Sequence, residues 1–135
     1  MGYRSDVAYT VRFESDDDRL DRQSFYVFLA EIRENELTST VIDELEIDEQ
    51  NYAINFRADS VKWYDAYQDV RAHERIIEIA NDWCNDEDNN SGIWYEKARI
   101  GEELDDNNYM ANAGKASTHG DPVIDISRQI VTDWD

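Results

Sequence analysis

Cysteine is almost absent from this 135-residue chain, which contains a single one, Cys84. One cysteine forms no intramolecular disulfide and provides no Cys-x-x-Cys metal pair, so an intracellular compartment is expected. The sequence also lacks any run of about 18 apolar residues, the length that a membrane-spanning helix needs. Its first residues, MGYRSDVAYTVRFE, alternate in polarity and do not form the apolar core of a signal peptide. We therefore expect neither membrane association nor secretion.

Positive charge is scarce as well. The chain has 13 Lys and Arg residues and 32 Asp and Glu residues, which gives a net charge of −19. This deficit argues against direct binding to DNA, RNA or anionic membranes, because such surfaces require clustered Lys and Arg. It favours a basic protein surface as partner, since a large negative charge accelerates encounter with one. The hydrophobic fraction, 41%, is too high for a disordered acidic tail, so residues 1–135 are expected to form a single domain.

Hydrophobic alternation predicts strands, and apolar residues spaced by three and four predict helices. The predicted strands span residues 6–14, 45–48, 51–58 and 93–100, with a last strand starting at Pro122. The predicted helices span residues 15–35 and 67–83, and residues 101–120 are expected to form a long loop. Residues 36–50 are ambiguous; if residues 45–48 form a short edge strand, they make a hairpin with residues 51–58.

The order of these elements, β-α-ββ-α-β-β, does not alternate strictly between strands and helices. It predicts an α+β fold, a mainly antiparallel sheet of four or five strands with two helices packed on one face. Four cations occupy strand positions out of phase with the main apolar set: Arg12, Arg57, Lys97 and Arg99. We expect them on the sheet face away from the helices.

Acidic residues are grouped along the chain. Ser15 is the expected N-cap of the first helix, with Asp16, Asp17 and Asp18 in its first turn, where carboxylates interact favourably with the helix dipole. Two further groups flank the strand at 93–100: Asp86, Glu87 and Asp88 before it, and Glu102, Glu103, Asp105 and Asp106 after it. A fourth group lies at residues 43–49. A run of acids is usually a solvated face, but four such groups on one small domain favour a long negative surface.

The group before that strand resembles part of a calcium loop. Asp86, Asp88 and Asn90 occupy the first, third and fifth positions of an EF-hand. The sixth position, which needs glycine, is Ser91, and the twelfth, which needs a bidentate glutamate, is Lys97. The group after the strand has no such spacing. No metal and no cofactor are therefore predicted.

Catalytic motifs are not recognisable either. Cys84 lies on the apolar stripe of the second predicted helix, where a small core residue is more common than a nucleophile. His73 is one turn short of pairing with Cys84, and His119 lies in a loop rich in Gly, Ser and Thr. The chain contains no Gly-x-Ser-x-Gly, P-loop or His-Glu-x-x-His sequence. We do not expect an enzyme.

Aromatic residues are concentrated in VKWYDAY, between a predicted strand and the second helix. Trp63 and Tyr64 of this segment either cap the core or form an exposed anchor, because Trp and Tyr are enriched at interface hot spots. The candidate partner-binding residues are therefore Asp16, Asp17, Asp18, Asp86, Glu87, Asp88, Glu102, Glu103, Asp105, Asp106, Trp63 and Tyr64.

Three segments carry a resemblance to a known group of proteins: MGYRSDVAYTVRF, FRADSVKWYDAYQDV and ARIGEELDD. Together they resemble small, mostly uncharacterised acidic proteins encoded by tailed bacteriophages. The resemblance implies an accessory protein acting in the host cytoplasm. In charge and size the chain is also similar to phage DNA mimics, which inhibit host defence by placing carboxylates where phosphates would lie.

These observations lead to one hypothesis with two alternatives. The chain would bind and inhibit a host protein by occupying a basic surface such as a nucleic-acid-binding channel. Alternatively, it is a virion or assembly component, or a homo-oligomer that uses the open sheet face. The abundance of Asp and the preference for Arg over Lys are also typical of acidic binding domains adapted to high salt.

Overall fold

A computed structural model of the chain describes residues 2–103, 105–118, 123–126 and 130–132. These residues form seven strands, two α-helices and a 3-10 helix, Thr38–Glu44, which lies between α1 and β2. In chain order the strands and α-helices are β1 (Ser5–Phe13), α1 (Asp18–Glu34), β2 (Glu46–Asp48), β3 (Ala53–Val61), α2 (Gln68–Asn85), β4 (Ile93–Gly101), β5 (Asn107–Ala113), β6 (Ile124–Ile126) and β7 (Ile130–Thr132). The predicted helices and the first four predicted strands are confirmed, with small differences at their ends.

The main sheet has five strands in the order β2-β3-β1-β4-β5, and each neighbouring pair is antiparallel. This confirms the α+β class, and the pairing of β2 with β3 confirms the predicted hairpin. β1 is the central strand, so its alternating side chains determine what each face buries. Val7, Tyr9, Val11 and Phe13 point to one face and are buried there.

Both α-helices pack on that face, as predicted. α1 contributes Phe25, Phe28 and Ile32 to the core, at the spacing of one helical stripe. α2 contributes Ile76 and Ala80 in the same way. Burying each large apolar side chain stabilises the fold by roughly 1.5–3 kcal/mol, so this face provides most of the stability.

The first helix begins two residues later than predicted. Asp17, and not Ser15, is the N-cap, and its carboxylate accepts a hydrogen bond from the amide of Leu20 at 3.1 Å. Ser15 instead donates its hydroxyl to the buried carboxylate of Asp21 at 2.7 Å. Asp18 and Asp21 therefore provide the acidic residues of the first turn.

The predicted loop at 101–120 is wrong over seven of its residues. Asn107–Ala113 forms β5, which pairs with β4 along the edge of the sheet. Six of its seven residues are exposed, so the strand shows no apolar alternation from which it could have been recognised. Gly120 and His119, which also belong to that segment, lie outside the described residues.

The single C-terminal strand is also wrong. Ile124–Ile126 and Ile130–Thr132 are two short strands that pair with each other as a separate antiparallel hairpin. This hairpin covers part of the second face of the main sheet, where Ile124 and Ile130 pack on Ala8 and Ala98. Pro122, the expected first residue of the strand, lies outside the described residues.

A buried carboxylate holds this hairpin on the sheet. Glu96 of β4 has no exposed surface, and its two oxygens accept hydrogen bonds from the amides of Val123 and Ile124 at 3.2 and 3.1 Å. Arg57 of β3 donates to the carbonyl of Ile130 at 3.2 Å. Polar contacts from two strands therefore fix a hairpin that buries little apolar surface.

The four strand cations divide between the two faces. Arg12 and Arg57 lie opposite the helices, as predicted, because they pair with Ala53 and Ala8. Lys97 and Arg99 do not. Lys97 pairs with Tyr9 and Arg99 with Val7, so both lie on the helix face, and that prediction is wrong.

Lys97 is tolerated there because Glu74 of α2 forms an ion pair with its ammonium group. Both faces of β4 are largely buried, which makes its phase ambiguous from the sequence.

Among the residues that the structure describes, no helix is long and apolar enough to cross a membrane.

Candidate functional site

Two of the acidic groups, at residues 16–18 and 86–88, lie next to neighbouring strand ends at the same end of the sheet. β1 ends at Phe13 beside the first residue of β4, Ile93, so the segments beyond them are neighbours. The amide of Glu14 donates to the carbonyl of Gly92 at 2.9 Å. This contact joins the start of α1 to the loop that follows α2. We call the resulting surface the acidic end, formed by Glu14, Asp16, Asp17, Asp18, Asp86, Glu87 and Asp88, all of which are exposed.

Some of these carboxylates have structural roles. Asp17 caps α1, and Asp18 accepts a hydrogen bond from the hydroxyl of Tyr52 at 3.2 Å. Asp86 accepts one from the amide of Asp88 at 2.9 Å, which closes a turn. The carboxylates of Asp16, Glu87 and Asp88 accept no hydrogen bond within the described ranges, so their charge faces solvent.

Arg19 and Arg22 lie in the first turns of α1 beside the acidic end, but no ion pair among the described residues uses the carboxylates of that surface. Lys115 donates to the backbone carbonyl of Glu87 and not to its carboxylate. The guanidinium of Arg12 lies over the ring of Trp94, 5.8 Å from its centroid, on the opposite sheet face from the helices. A cavity of about 270 Å³ lies close by, between Arg12, Asp18 and Tyr52.

The acidic group that follows β4 lies at the other end of the sheet. A nine-residue strand such as β1 separates the two ends by about 30 Å. Asp106 accepts hydrogen bonds from Arg99 at 2.7 Å and from the hydroxyl of Tyr3 at 2.5 Å. These two bonds, that of Arg99 above all, hold the pKa of the Asp106 carboxyl below its usual value. Glu102 accepts a hydrogen bond from the amide of Arg4 at 2.7 Å.

The remaining members of that group are Glu103 and Asp105, and both are exposed. The amide of Glu103 donates to the hydroxyl of Tyr3 at 3.1 Å. The group is therefore a folded corner that binds the N-terminal segment, with part of its charge already paired. It is a weaker candidate for a docking surface than the acidic end.

Trp63 and Tyr64 lie at this corner and not at the acidic end. Trp63 packs on Phe56 and His73, with ring centroids 6.0 and 5.6 Å apart, and its indole donates to Glu74 at 3.2 Å. Tyr64 accepts a hydrogen bond from the amide of Tyr3 at 2.6 Å. Both side chains are half-buried, so their contacts are those of residues that cap the core.

These two aromatic residues also line a cavity of about 570 Å³. Its polar wall consists of the ion pairs Lys97 with Glu74 and Arg99 with Asp106. The charges of this wall cancel in pairs, unlike those of the acidic end. The structure thus brings the candidate residues together in two separate sets.

A buried polar network escaped the sequence interpretation. His73 is 1% exposed; Tyr9 lies 2.7 Å from its Nδ1 and Glu44 lies 3.2 Å from its Nε2. A neutral imidazole protonated at Nε2 matches both contacts, since Tyr9 then donates to Nδ1. Burial lowers the pKa of His73, against the opposing effect of Glu44. The sequence feature that could have revealed this network is the position of His73 on the apolar stripe of α2.

Catalytic and metal-binding constellations are not seen in the described ranges. Cys84 is half-buried against the main core, and burial raises the pKa of its thiol to about 12. A thiol with that pKa is protonated at neutral pH and is a poor nucleophile. No group of three or more His, Cys, Asp or Glu residues able to hold a metal ion occurs in the part of the chain that the structure describes.

The acidic end therefore presents several exposed carboxylates close together at one end of the sheet. Comparisons of the chain with protein-family models, with curated proteins and with solved structures found no match.

Proposed function

We propose that this chain is a non-enzymatic binding protein whose acidic end docks on a basic protein surface that otherwise holds nucleic acid. One observation carries the proposal: the carboxylates of Asp16, Glu87 and Asp88 are exposed and accept no hydrogen bond within the described residues. Carboxylates that are already solvated and unpaired can exchange water for Lys and Arg side chains without breaking internal contacts.

The distribution of positive charge supports the same surface. Lys97, midway along β4, and Arg99, nearer the far end of that strand, are paired on the helix face with Glu74 and Asp106. Their positive charge is therefore neutralised by these partners and is not paired with the acidic end. Opposite charges steer diffusional encounter, so association with a basic groove should be fast and should weaken with salt.

The resemblance to phage proteins gives the proposal its setting. A phage accessory protein of this kind would act in the host cytoplasm on a defence or nucleic-acid-handling protein. Its carboxylates would stand where phosphates lie in the natural complex. Inhibition would then follow from occupancy of the groove, and no chemistry on the partner would be required.

The test is capture of partners from a bacterial host lysate with two matched variants. The first carries Asp16→Asn, Glu87→Gln and Asp88→Asn at the acidic end. The control carries Glu34→Gln, Glu36→Gln and Asp43→Asn, which remove the same charge from exposed positions near the end of α1 and in the 3-10 helix. Because the two variants have equal net charge, any difference between them reports location.

We expect the control to retain the captured protein and the acidic-end variant to lose most of it. Loss of three solvated carboxylates from a salt-sensitive interface should weaken binding by about tenfold or more. Equal capture by both variants would show that overall charge, and not this surface, is responsible. A partner that stays bound undiminished in molar KCl would contradict electrostatic docking.

A further inference from the structure

Among the described residues, no strand pairs with the outer edge of β5, and the strand itself carries no charge. β5 is the last strand of the main sheet, and its sequence NNYMANA contains no Asp, Glu, Lys, Arg or Pro. Two of the most exposed large apolar side chains of the described residues, Tyr109 and Met110, lie in it, 45% and 41% exposed. An exposed edge strand is a template for pairing with another strand, and proteins normally block it with charge or proline.

The opposite edge of the same sheet is blocked in that way. β2 has only three residues, Glu46–Asp48, and two of them are acidic. A charged residue at each end of so short a strand leaves little room for another strand to add. β5 is more than twice as long and lacks these devices, in a chain of which 33% is charged. The two edges therefore differ in their capacity for pairing.

The hydrogen-bond pattern identifies which backbone groups of β5 face outward. Gly101 donates to the carbonyl of Asp106 at 2.7 Å, and Gly114 donates to the carbonyl of Ile93 at 2.8 Å. Antiparallel strands alternate between bonded and non-bonded pairs, so Asn108, Met110 and Asn112 direct their backbone groups to β4. The intervening backbone groups point away from the sheet, at Asn107, Tyr109, Ala111 and Ala113.

We propose that β5 is a self-association edge, on which the β5 strand of a second copy of this chain pairs antiparallel about a two-fold axis at Met110. Residues equally far from Met110 would then lie opposite one another. Tyr109 of one copy would exchange both backbone hydrogen bonds with Ala111 of the other, and the same exchange would occur on the other side of the axis. The two five-stranded sheets become one continuous sheet.

Side chains fit this register. Asn108 lies opposite Asn112 of the second copy on the helix face. The Asn112 amide nitrogen already donates to Asn81 and Asn85, so the Asn108 amide would donate to the remaining lone pair of the Asn112 oxygen. On the other face the ring of Tyr109 lies across from the small Ala111. Just beyond the strand, the register brings exposed Asp105 level with exposed Lys115, which are of opposite charge. This complementarity selects a second copy in preference to an unrelated strand.

Net charge works against the same association. Two copies carrying −19 each repel at long range, and the uncharged edge is where their backbones approach with least local repulsion. Salt screens that repulsion, so dimerisation should strengthen as salt is added. Docking of the acidic end should weaken under the same conditions. The two proposals therefore respond to salt in opposite directions and fail independently.

Cysteine cross-linking tests the register on the purified full-length chain. Across a non-hydrogen-bonded antiparallel pair the Cα atoms are about 4.5 Å apart, within the range that a disulfide spans. Met110→Cys should therefore form a covalent dimer on mild oxidation. Asn108→Cys is the matched control, because its counterpart in the second copy is about 13 Å further along the strand. Native Cys84, half-buried, is present in both variants.

We expect Met110→Cys to cross-link at least about tenfold faster than Asn108→Cys, because pairing raises the effective thiol concentration. Equal rates, or no covalent dimer from either, would overturn the proposed edge. This comparison holds whatever partner the acidic end binds.

Sedimentation equilibrium tests the association without a covalent bond. Met110→Glu places a carboxylate beside Lys97 within one copy, which favours the fold, but opposite its own equivalent across the two-fold axis. Val27→Glu is the control, since Val27 is 54% exposed on α1, away from the sheet. We expect the dimer dissociation constant to rise about tenfold for Met110→Glu and to be unchanged for Val27→Glu. A wild-type chain that stays monomeric at high concentration and high salt would contradict the proposal.

Discussion

The carbonyl of Gly92 accepts a hydrogen bond from the amide of Glu14 at 2.9 Å, and this contact joins two acidic segments that are more than 70 residues apart in the sequence. The approach is close enough to exclude a side chain. A Cβ atom at Gly92 would lie 2.4 Å from the backbone oxygen of Glu14. Glycine at this position therefore allows the acidic end to form.

Gly92→Ala should accordingly destabilise the protein. The clash is with backbone, which cannot rotate away, so the free energy of unfolding should fall by about 1–3 kcal/mol. Urea denaturation of the two proteins measures this difference. Gly114→Ala is the control, because a Cβ there would meet the side chain of Ile93 at 3.3 Å, which needs only a small adjustment. Equal losses of stability in both variants would contradict the close-approach explanation.

Glu96 should control the C-terminal hairpin. In Glu96→Gln one amide oxygen still accepts a hydrogen bond, but the amide nitrogen faces a backbone N–H and leaves that donor unsatisfied. We expect a loss of about 1–3 kcal/mol. Hydrogen exchange at the amides of Val123 and Ile124 should accelerate, as measured by NMR. Glu46→Gln, at an exposed position of β2, should leave both exchange rates unchanged.

Stability should fall in mildly acidic solution because of His73. Burial lowers the pKa of its imidazole in the folded state below 6.5, so the fold favours the neutral ring. The stabilisation is fully present above pH 6.5 and is lost as the pH falls through 6.5 towards the folded-state pKa. Urea denaturation in steps down from pH 7.5, compared at equal salt, measures this slope.

Replacing His73 with Asn should flatten that slope, whereas His119→Asn should leave it unchanged. The chain has two histidines, so the pair of variants separates their contributions. A slope that persists in His73→Asn would assign the acid sensitivity to carboxylates instead.

Much of the sheet could be predicted from polarity alone. β1 and β3 direct alternating large apolar side chains towards the helices, and that pattern located both strands to within a few residues. β4 was located equally well, but the sheet face to which each of its side chains points was predicted wrongly. Lys97 lies on the helix face because Glu74, far away in sequence, neutralises it there. Pairing of distant charges leaves no local signature.

The candidate site shows the same division. The grouping of acidic residues was visible in the sequence, but which carboxylates are hydrogen-bonded and which face solvent was not. Asp106 and Glu102 are engaged by Arg99 and Arg4, whereas Asp16 and Asp88 remain solvated. Only the folded chain distinguishes a carboxylate that holds the structure together from one that is available to a partner. β5 was missed for a different reason: an exposed edge strand has no buried face to impose alternation.

Competition with nucleic acid tests the central claim most directly. The partner captured from the host lysate is bound to the immobilised chain, and a duplex of random sequence is added at rising concentration with release followed by fluorescence. If the acidic end occupies a nucleic-acid groove, the duplex displaces the partner completely at saturation, because both bind the same basic surface. If the partner binds duplex and this chain at the same time, with no displacement at saturation, the acidic end does not act in place of phosphates.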